Sequence, residues 1–120
     1  MLNLIAVFLG GGLGCVCRYG LGLYIPSTLF PFATLCANVF ACFILGGLTG
    51  AGSRVNNGIL PYTALIGTGF CGGFSTFSTF TKEHFLLAEA GFYWQHVLYV
   101  FVSYTTGMLA FYVGYWAIRR

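Results

Sequence analysis

Hydrophobic residues dominate the chain, and the few charged positions divide it into long uncharged runs. Runs 1–17, 19–53, 55–81 and 90–118 contain no Asp, Glu, Lys or Arg. Each run is long enough for one membrane-spanning helix, which needs about 20 apolar residues. The pattern therefore predicts four spans, which we place at 2–23 (span 1), 32–51 (span 2), 59–81 (span 3) and 94–117 (span 4).

Short segments rich in turn-forming residues separate the predicted spans. Pro26 and Pro31 punctuate the first connection, the sequence GSRVNNG at 52–58 forms the second, and residues 82–93 form the third. The chain contains no linker, internal repeat or low-complexity tract. The sequence therefore predicts a single four-helix transmembrane domain over residues 1–120.

The composition favours an integral membrane protein over other classes. Hydrophobic residues make up 58% of the chain and charged residues only 6%, whereas soluble domains carry about 25% charged residues. No basic stripe is present, so we expect no nucleic-acid binding. The chain has no Ser-His-Asp arrangement, and we predict that it is not an enzyme. The five cysteines form no CxxC pair, and we expect them to pack as small hydrophobic residues.

The charges are almost evenly divided between the two ends of the predicted bundle. Four spans place Arg54, Arg119 and Arg120 on one side of the membrane, and Arg18 and Lys82 on the other. This count of three against two gives the positive-inside rule almost no bias, so the chain could insert either way up. Two oppositely inserted copies would form an antiparallel homodimer with its twofold axis in the membrane plane.

Glycines four residues apart predict places where helix backbones meet closely. This GxxxG spacing occurs at Gly10 and Gly14, at Gly46 and Gly50, and at Gly69 and Gly73. Glycine is common in membrane helices, and we assign most of these pairs to packing within one subunit.

The segment GFCGGFSTFSTFT at 69–81 is too polar for an ordinary lipid-facing helix. Hydroxyls and loosened backbone at membrane depth are tolerated where they face protein or line a cavity. Span 3 has length to spare for a break near its middle, and we place that break at Gly72 and Gly73. Backbone carbonyls freed near Gly72 and Ser75 would suit a small hard cation such as Na⁺.

Beyond the predicted break, Phe74, Phe77 and Phe80 are spaced to share one helix face. The edge of a phenyl ring carries a partial positive charge, so it can contact an anion where no fully charged group is present. Such weak sites in series suit conduction, although the same stripe can also serve plain helix packing.

Polar groups on the other spans match this pattern. Span 2 carries Thr34 and Asn38 four residues apart, and span 4 carries Tyr99 and Ser103 at the same spacing. Asn38 either offers an amide N–H to an anion or makes a hydrogen bond between helices. Arg18, which precedes a tyrosine, is typical of an interfacial anchor and could also attract anions into a vestibule.

Three motifs together resemble the Fluc-type fluoride channels over essentially the whole chain. They are GGGLGCVCRY at 10–19, TLCANVFACFILG at 34–46 and GFCGGFSTFSTF at 69–80. The resemblance implies a fluoride-selective channel of the inner (plasma) membrane that exports toxic F⁻ passively. It also implies an antiparallel homodimer with two pores and a structural Na⁺ at the dimer centre.

The resemblance further implies roles for individual residues. Phe77 and Phe80 would be the pore-lining aromatic pair, and the carbonyls of Gly72 and Ser75 would hold Na⁺. The remaining pore residues would be Asn38, Ser78, Thr79, Tyr99 and Ser103, with Arg18 in the vestibule and Glu83 near the pore mouth. Gly107 stands where the family commonly has a hydroxyl, so the chain departs from the family pattern beyond Ser103.

Two other classes of protein share this length and charge pattern. A small dual-topology multidrug exporter needs an embedded carboxylate in its first span. Here the acidic residues, Glu83 and Glu89, lie in or beside the third predicted connection. A non-transporting membrane assembly subunit, in which the glycines and phenylalanines serve packing alone, is compatible with the composition.

Overall fold

Helices and short connections make up all of the chain that the structure describes. The structure is a computed structural model, and it describes residues 1–26, 30–52 and 62–120. In chain order the helices are α1 (Leu2–Tyr24), α2 (Phe32–Gly52), α3 (π-helical Thr63–Cys71 continued by α-helical Gly72–Phe74), α4 (Phe77–Glu89) and α5 (Tyr93–Arg119). Of these, α1, α2 and α5 are long and apolar enough to cross a membrane. The prediction of an all-helical membrane protein is confirmed.

The predicted limits of spans 1, 2 and 4 agree with α1, α2 and α5 to within two residues. Arg54, most of the second predicted connection, and residues 59–61 of span 3 lie outside the described residues. The count of basic residues on each side therefore stays a prediction.

Prolines mark the facing ends of α1 and α2. Helix α1 ends at Tyr24, and Ile25 is extended, with φ −110° and ψ 93°. A proline disfavours helical backbone in the residue before it, which explains this end. Pro31 immediately precedes α2, where its carbonyl accepts the N–H of Leu35 at 3.1 Å. Its missing N–H costs nothing there, because the first N–H groups of a helix have no partner within the helix.

The helices pair as α1 with α3 and as α2 with α5, along seams of direct backbone contact. A Cβ atom at Gly10 or Gly14 would overlap carbonyl oxygens of α3, and one at Gly46 would overlap the Phe111 carbonyl of α5. The other GxxxG glycines, Gly50, Gly69 and Gly73, are also tight against backbone of the same chain. The expectation that most of these pairs serve packing within one subunit is confirmed.

The prediction that residues 82–93 form the third connection is wrong, because most of these residues are helical. Helix α4 continues to Glu89. Gly91 then adopts φ +80°, and the N–H groups of Gly91 and Phe92 bond to the carbonyls of Ala88 and Leu87 at 3.1 and 2.9 Å. These two bonds are those of a Schellman cap, which needs a residue with positive φ. The charged residues end the apolar run without ending the helix.

The predicted break point is also wrong, because Gly72 and Gly73 are helical. The helix is interrupted after Phe74, where Ser75 has ψ 157° and Thr76 has φ −153° and ψ 119°. Extended residues shift the phase of the helix that follows, so the three phenylalanines do not share one face. Phe74 is buried and stacks on Phe70 at 5.4 Å.

Candidate functional site

The side chain of Asn38 holds the interruption between α3 and α4. The N–H of Thr76 donates to Asn38 Oδ1 at 2.8 Å, and Asn38 Nδ2 donates to the Thr76 carbonyl at 3.4 Å. The side-chain amide of Asn38 thus forms hydrogen bonds with both backbone polar groups of Thr76, which is extended. Leaving such buried groups unpaired would cost about 2 kcal/mol.

Thr76 also caps the first turn of α4. Its Oγ1 accepts the N–H of Thr79 at 3.1 Å, which satisfies one of the free donors at the helix start. The hydroxyl oxygens of Ser78 and Thr79 lie 3.2 and 3.1 Å from the same atom. Three hydroxyls therefore cluster where α4 begins.

These bonds release two backbone carbonyls from helical pairing. In a continuous α-helix the Gly72 carbonyl would accept the Thr76 N–H, and the Ser75 carbonyl would accept the Thr79 N–H. Both N–H groups instead donate to side chains, those of Asn38 and Thr76. The groups left free to bind a ligand at the interruption are neutral oxygen atoms, which are the ligands that hard cations prefer.

An open groove of about 360 Å³ lies beside the interruption. Its lining includes Asn38, Ser75, Phe77, Phe80, Ser103 and Gly107, and among the described residues that line it none is charged. Ser103 Oγ is buried and has no hydrogen-bond partner within the described ranges. Phe77 is 81% exposed, and its ring centroid lies 6.0 Å from that of Phe80. The groove thus combines ring surface with a hydroxyl that is free to bond.

A second cavity, of about 290 Å³, shares Thr76 with the groove. Arg18, Thr79 and Glu83 line it. Arg18 Nε donates to the Gly73 carbonyl at 3.2 Å, which anchors the guanidinium beside the interruption. Arg18, predicted for the vestibule, and Glu83, predicted for the pore mouth, therefore line one cavity.

The carboxylate of Glu83 links three helices next to this cavity. It accepts the Thr34 hydroxyl at 2.8 Å and the Tyr99 hydroxyl at 2.9 Å, one on each oxygen. Tyr99 is fully buried, and its ring centroid lies 4.9 Å from that of Phe80. Glu83 thereby fixes a tyrosine that packs directly against a ring of the groove.

The sequence-predicted site residues gather around Thr76 in different roles. Asn38, Phe77, Phe80 and Ser103 line the groove. The hydroxyls of Ser78 and Thr79 join the cluster at the start of α4. The hydroxyl of Tyr99 is directed at Glu83.

Sequence reasoning missed Thr76 itself. A hydroxyl residue just before a helical run is the usual signal for an N-cap. Thr76 would have met that criterion had α4 been predicted to begin at Phe77. Because the break was predicted at Gly72 and Gly73, Thr76 was placed within a helix and was not considered as an N-cap.

The sequence matches known proteins along almost its full length. The family model described as CrcB-like protein, Camphor Resistance (CrcB), matches residues 5–115. A fluoride-specific ion channel FluC of Phocaeicola vulgatus is 37% identical over 121 positions, covering 97% of this chain and 98% of the relative. The fluoride-specific ion channel FluC 2 of Bacillus subtilis is 42% identical, covering 96% of this chain and 86% of the relative. A fluoride-specific ion channel FluC of a Methylobacterium species is 42% identical, covering 100% and 98%.

Proposed function

This chain belongs to the CrcB-like protein family, and on that premise we propose that it is a fluoride-selective ion channel. It is a multi-pass protein of the plasma membrane, not an enzyme, and it lets F⁻ leave the cell passively. Relatives that match 97% and 100% of the chain carry the name of fluoride-specific ion channels.

The observation that carries the proposal is the uncharged groove with an unpartnered hydroxyl. Ser103 Oγ is buried beside Phe77 and Phe80 without a hydrogen-bond partner among the described residues. A buried hydroxyl that makes no bond costs about 1–3 kcal/mol, so its presence indicates a missing partner. A small anion in the groove would be that partner, and the positive edges of the two rings would complete its surroundings.

The absence of a fixed charge in the described groove suits conduction. An embedded Lys or Arg would hold a small anion too tightly for rapid release, whereas neutral donors in series allow it to enter and leave. Arg18 stays outside the groove, in the cavity that it shares with Thr79 and Glu83. There its charge would raise the local concentration of anions before they reach the hydroxyl cluster.

We further propose that the Gly72 and Ser75 carbonyls bind a structural Na⁺. Their oxygens fit this ion, because the N–H groups that would pair with them in a continuous helix donate elsewhere. Neutral oxygen ligands of this kind would let Na⁺ fix the interrupted backbone without contributing to transport. The ion would lie at the centre of a dimer, where two copies supply a symmetric set of oxygens.

The proposed assembly is an antiparallel, dual-topology homodimer in which α3 and α4 together form the third of four membrane passages. The groove is open along one side, and the ring of Phe77 projects there. A Cβ atom at the exposed Gly72 would meet no described atom within 4 Å, so a partner backbone has room to approach. A second copy would close the groove and exclude lipid from it. Tagging the termini tests this, and finding one exclusive orientation would contradict it.

Ion flux from liposomes tests the channel function directly. Purified protein is reconstituted into vesicles loaded with KF or KCl, and valinomycin is added to release the counter-ion. We expect rapid F⁻ release and retained Cl⁻, compared with slow leakage of both from protein-free vesicles. Equal release of the two halides, or no F⁻ release above the protein-free rate, would overturn the proposal.

A further inference from the structure

Four aromatic rings form a continuous ladder that leads out of the groove along α4. Ring centroids are 6.0 Å apart from Phe77 to Phe80, 5.7 Å from Phe80 to His84 and 3.6 Å from His84 to His96. The last two pairs are nearly parallel, with interplanar angles of 12° and 7°. His84 therefore lies between Phe80, a ring of the groove, and His96, which lies in the first turn of α5.

The hydrogen bonding of the two histidines is compatible with uncharged rings. His96 Nδ1 lies 3.1 Å from the backbone carbonyl of His84, so this nitrogen donates and carries the proton. His84 Nδ1 is buried and has no hydrogen-bond partner in the described part of the chain. Both oxygens of the neighbouring Glu83 already accept hydroxyl groups, from Thr34 and Tyr99.

We propose that His84 and His96 are positioning residues that hold Phe80 in the groove wall, and that protonation of the pair releases it. This inference rests on the proposed function of the groove. Neutral imidazoles stack favourably, whereas two like charges 3.6 Å apart repel each other. Repulsion would part His96 from His84, and His84, no longer held in place by His96, would let the ring of Phe80 that stacks on it move.

Other charges around the pair do not cancel this repulsion. Tyr99 of α5 faces His84 with ring centroids 6.5 Å apart, and it is neutral at physiological pH. On α4 itself Lys82 adds a positive charge next to the negative Glu83, and Arg18 of α1 lines the same cavity as Glu83. The nearby charges therefore include two cations against one carboxylate.

The expected pH range follows from the ordinary titration of an imidazole, whose pKa in water is about 6.5. Above that pH the stacked rings would be uncharged and the ladder complete. Acidification below that pH would add charge to the stacked pair. The proposed release therefore belongs to mildly acidic conditions.

Single-channel or macroscopic F⁻ current in planar bilayers tests the inference, because uncharged HF carries no current. We expect wild-type conductance to fall at least about threefold between about pH 7.5 and about pH 5.5. His84→Phe and His96→Phe keep a ring in the ladder but cannot be protonated. Both should conduct like the wild type at neutral pH and stay constant on acidification. Lys82→Gln, which alters a nearby charge outside the ladder, should retain the wild-type response.

The possible outcomes separate this inference from the function on which it rests. No F⁻ current at neutral pH would refute the channel function and the inference with it. Current that is constant or rises on acidification would refute the inference alone, and so would a fall that persists in both Phe variants. If either Phe variant fails to fold, His84→Gln and His96→Gln provide the same loss of titration, and they should abolish the acid response as well.

Discussion

The glycine seams and the interrupted helix lie in one small bundle but are built by opposite means. At the seams, side chains are absent and backbone packs directly on backbone, as at Gly46 against Phe111. At the interruption, backbone hydrogen bonds are absent and the side chains of Asn38 and Thr76 replace them. The first arrangement leaves no room for a ligand, and the second leaves a cavity on each of two sides of Thr76.

This difference indicates where function can reside in a chain so poor in charge. A seam of glycines fixes the relative positions of helices without contributing any polar group. The interruption exposes polar groups and needs that fixed frame, because Asn38 on α2 must reach Thr76 across the gap between helices. The seams therefore support the site, and changes in the two regions should separate stability from transport.

The largest effect on stability is expected at a seam. Gly46→Ala places a Cβ against the Phe111 carbonyl, and such overpacking costs about 3 kcal/mol or more. Gly12→Ala is the matched control, because a Cβ there meets no described atom within 4 Å. Thermal unfolding in detergent, followed by tryptophan fluorescence, should show a large loss for the first and none for the second. Equal melting temperatures would contradict the account of the seams.

Replacement of Asn38 should affect both stability and transport. Asn38→Leu leaves the Thr76 N–H and carbonyl unpaired, which costs about 2 kcal/mol, and we expect F⁻ efflux to fall more than about tenfold. Asn38→Asp retains the acceptor for the Thr76 N–H and, with its carboxyl protonated, can also donate to the Thr76 carbonyl, so it should recover part of the stability. Lost efflux at unchanged stability would instead mean that Asn38 serves the anion alone.

Removal of the Ser103 hydroxyl should affect transport alone. Ser103→Ala deletes a buried group that has no described partner, so stability should stay equal or rise slightly. The F⁻ flux should fall about tenfold, equivalent to about 1.4 kcal/mol of lost interaction with the anion. Thr106→Ala is the control on the same helix, because its hydroxyl bonds to the Val102 carbonyl at 2.6 Å. A loss of stability in Ser103→Ala with unchanged flux would assign this hydroxyl to packing.

The smallest effect is expected where Glu83 ties the helices together. Tyr99→Phe keeps the ring against Phe80 but removes one of the two hydroxyls on the carboxylate, at a cost of about 1 kcal/mol. We expect a flux reduction of about threefold from the looser ring. Thr34→Val removes the other hydroxyl and should behave similarly in the same efflux measurement. Wild-type flux in both variants would show that the carboxylate needs neither hydroxyl to position Phe80.

Much of the fold could be predicted because it depends on features local in sequence. The apolar runs gave α1, α2 and α5, and the prolines fixed the facing ends of α1 and α2. The end of α4 could not be predicted in this way, since the charges of residues 82–89 read as a loop but are compatible with helix. Only the positive φ of Gly91 and its cap end the helix.

The candidate site could be predicted in its residue types but not in its geometry. Asn38, Phe77, Phe80 and Ser103 stand out as polar or aromatic positions in apolar spans. Their grouping depends on the interruption at Ser75 and Thr76, which arises from a contact with another helix. Such tertiary contacts leave no periodic signal in the sequence. The break was predicted at Gly72 and Gly73 because glycine has more backbone freedom than other residues.

If an anion crosses beside the rings of the groove, the Phe77→Ile and Phe80→Ile variants must release F⁻ more slowly from liposomes than the wild type. Phe101→Ile is the matched control, since Phe101 is 69% exposed on α5 and does not line the groove. We expect at least about a tenfold loss of flux in the first two variants and wild-type flux in the third. Unchanged flux and F⁻ selectivity in both groove variants would contradict it.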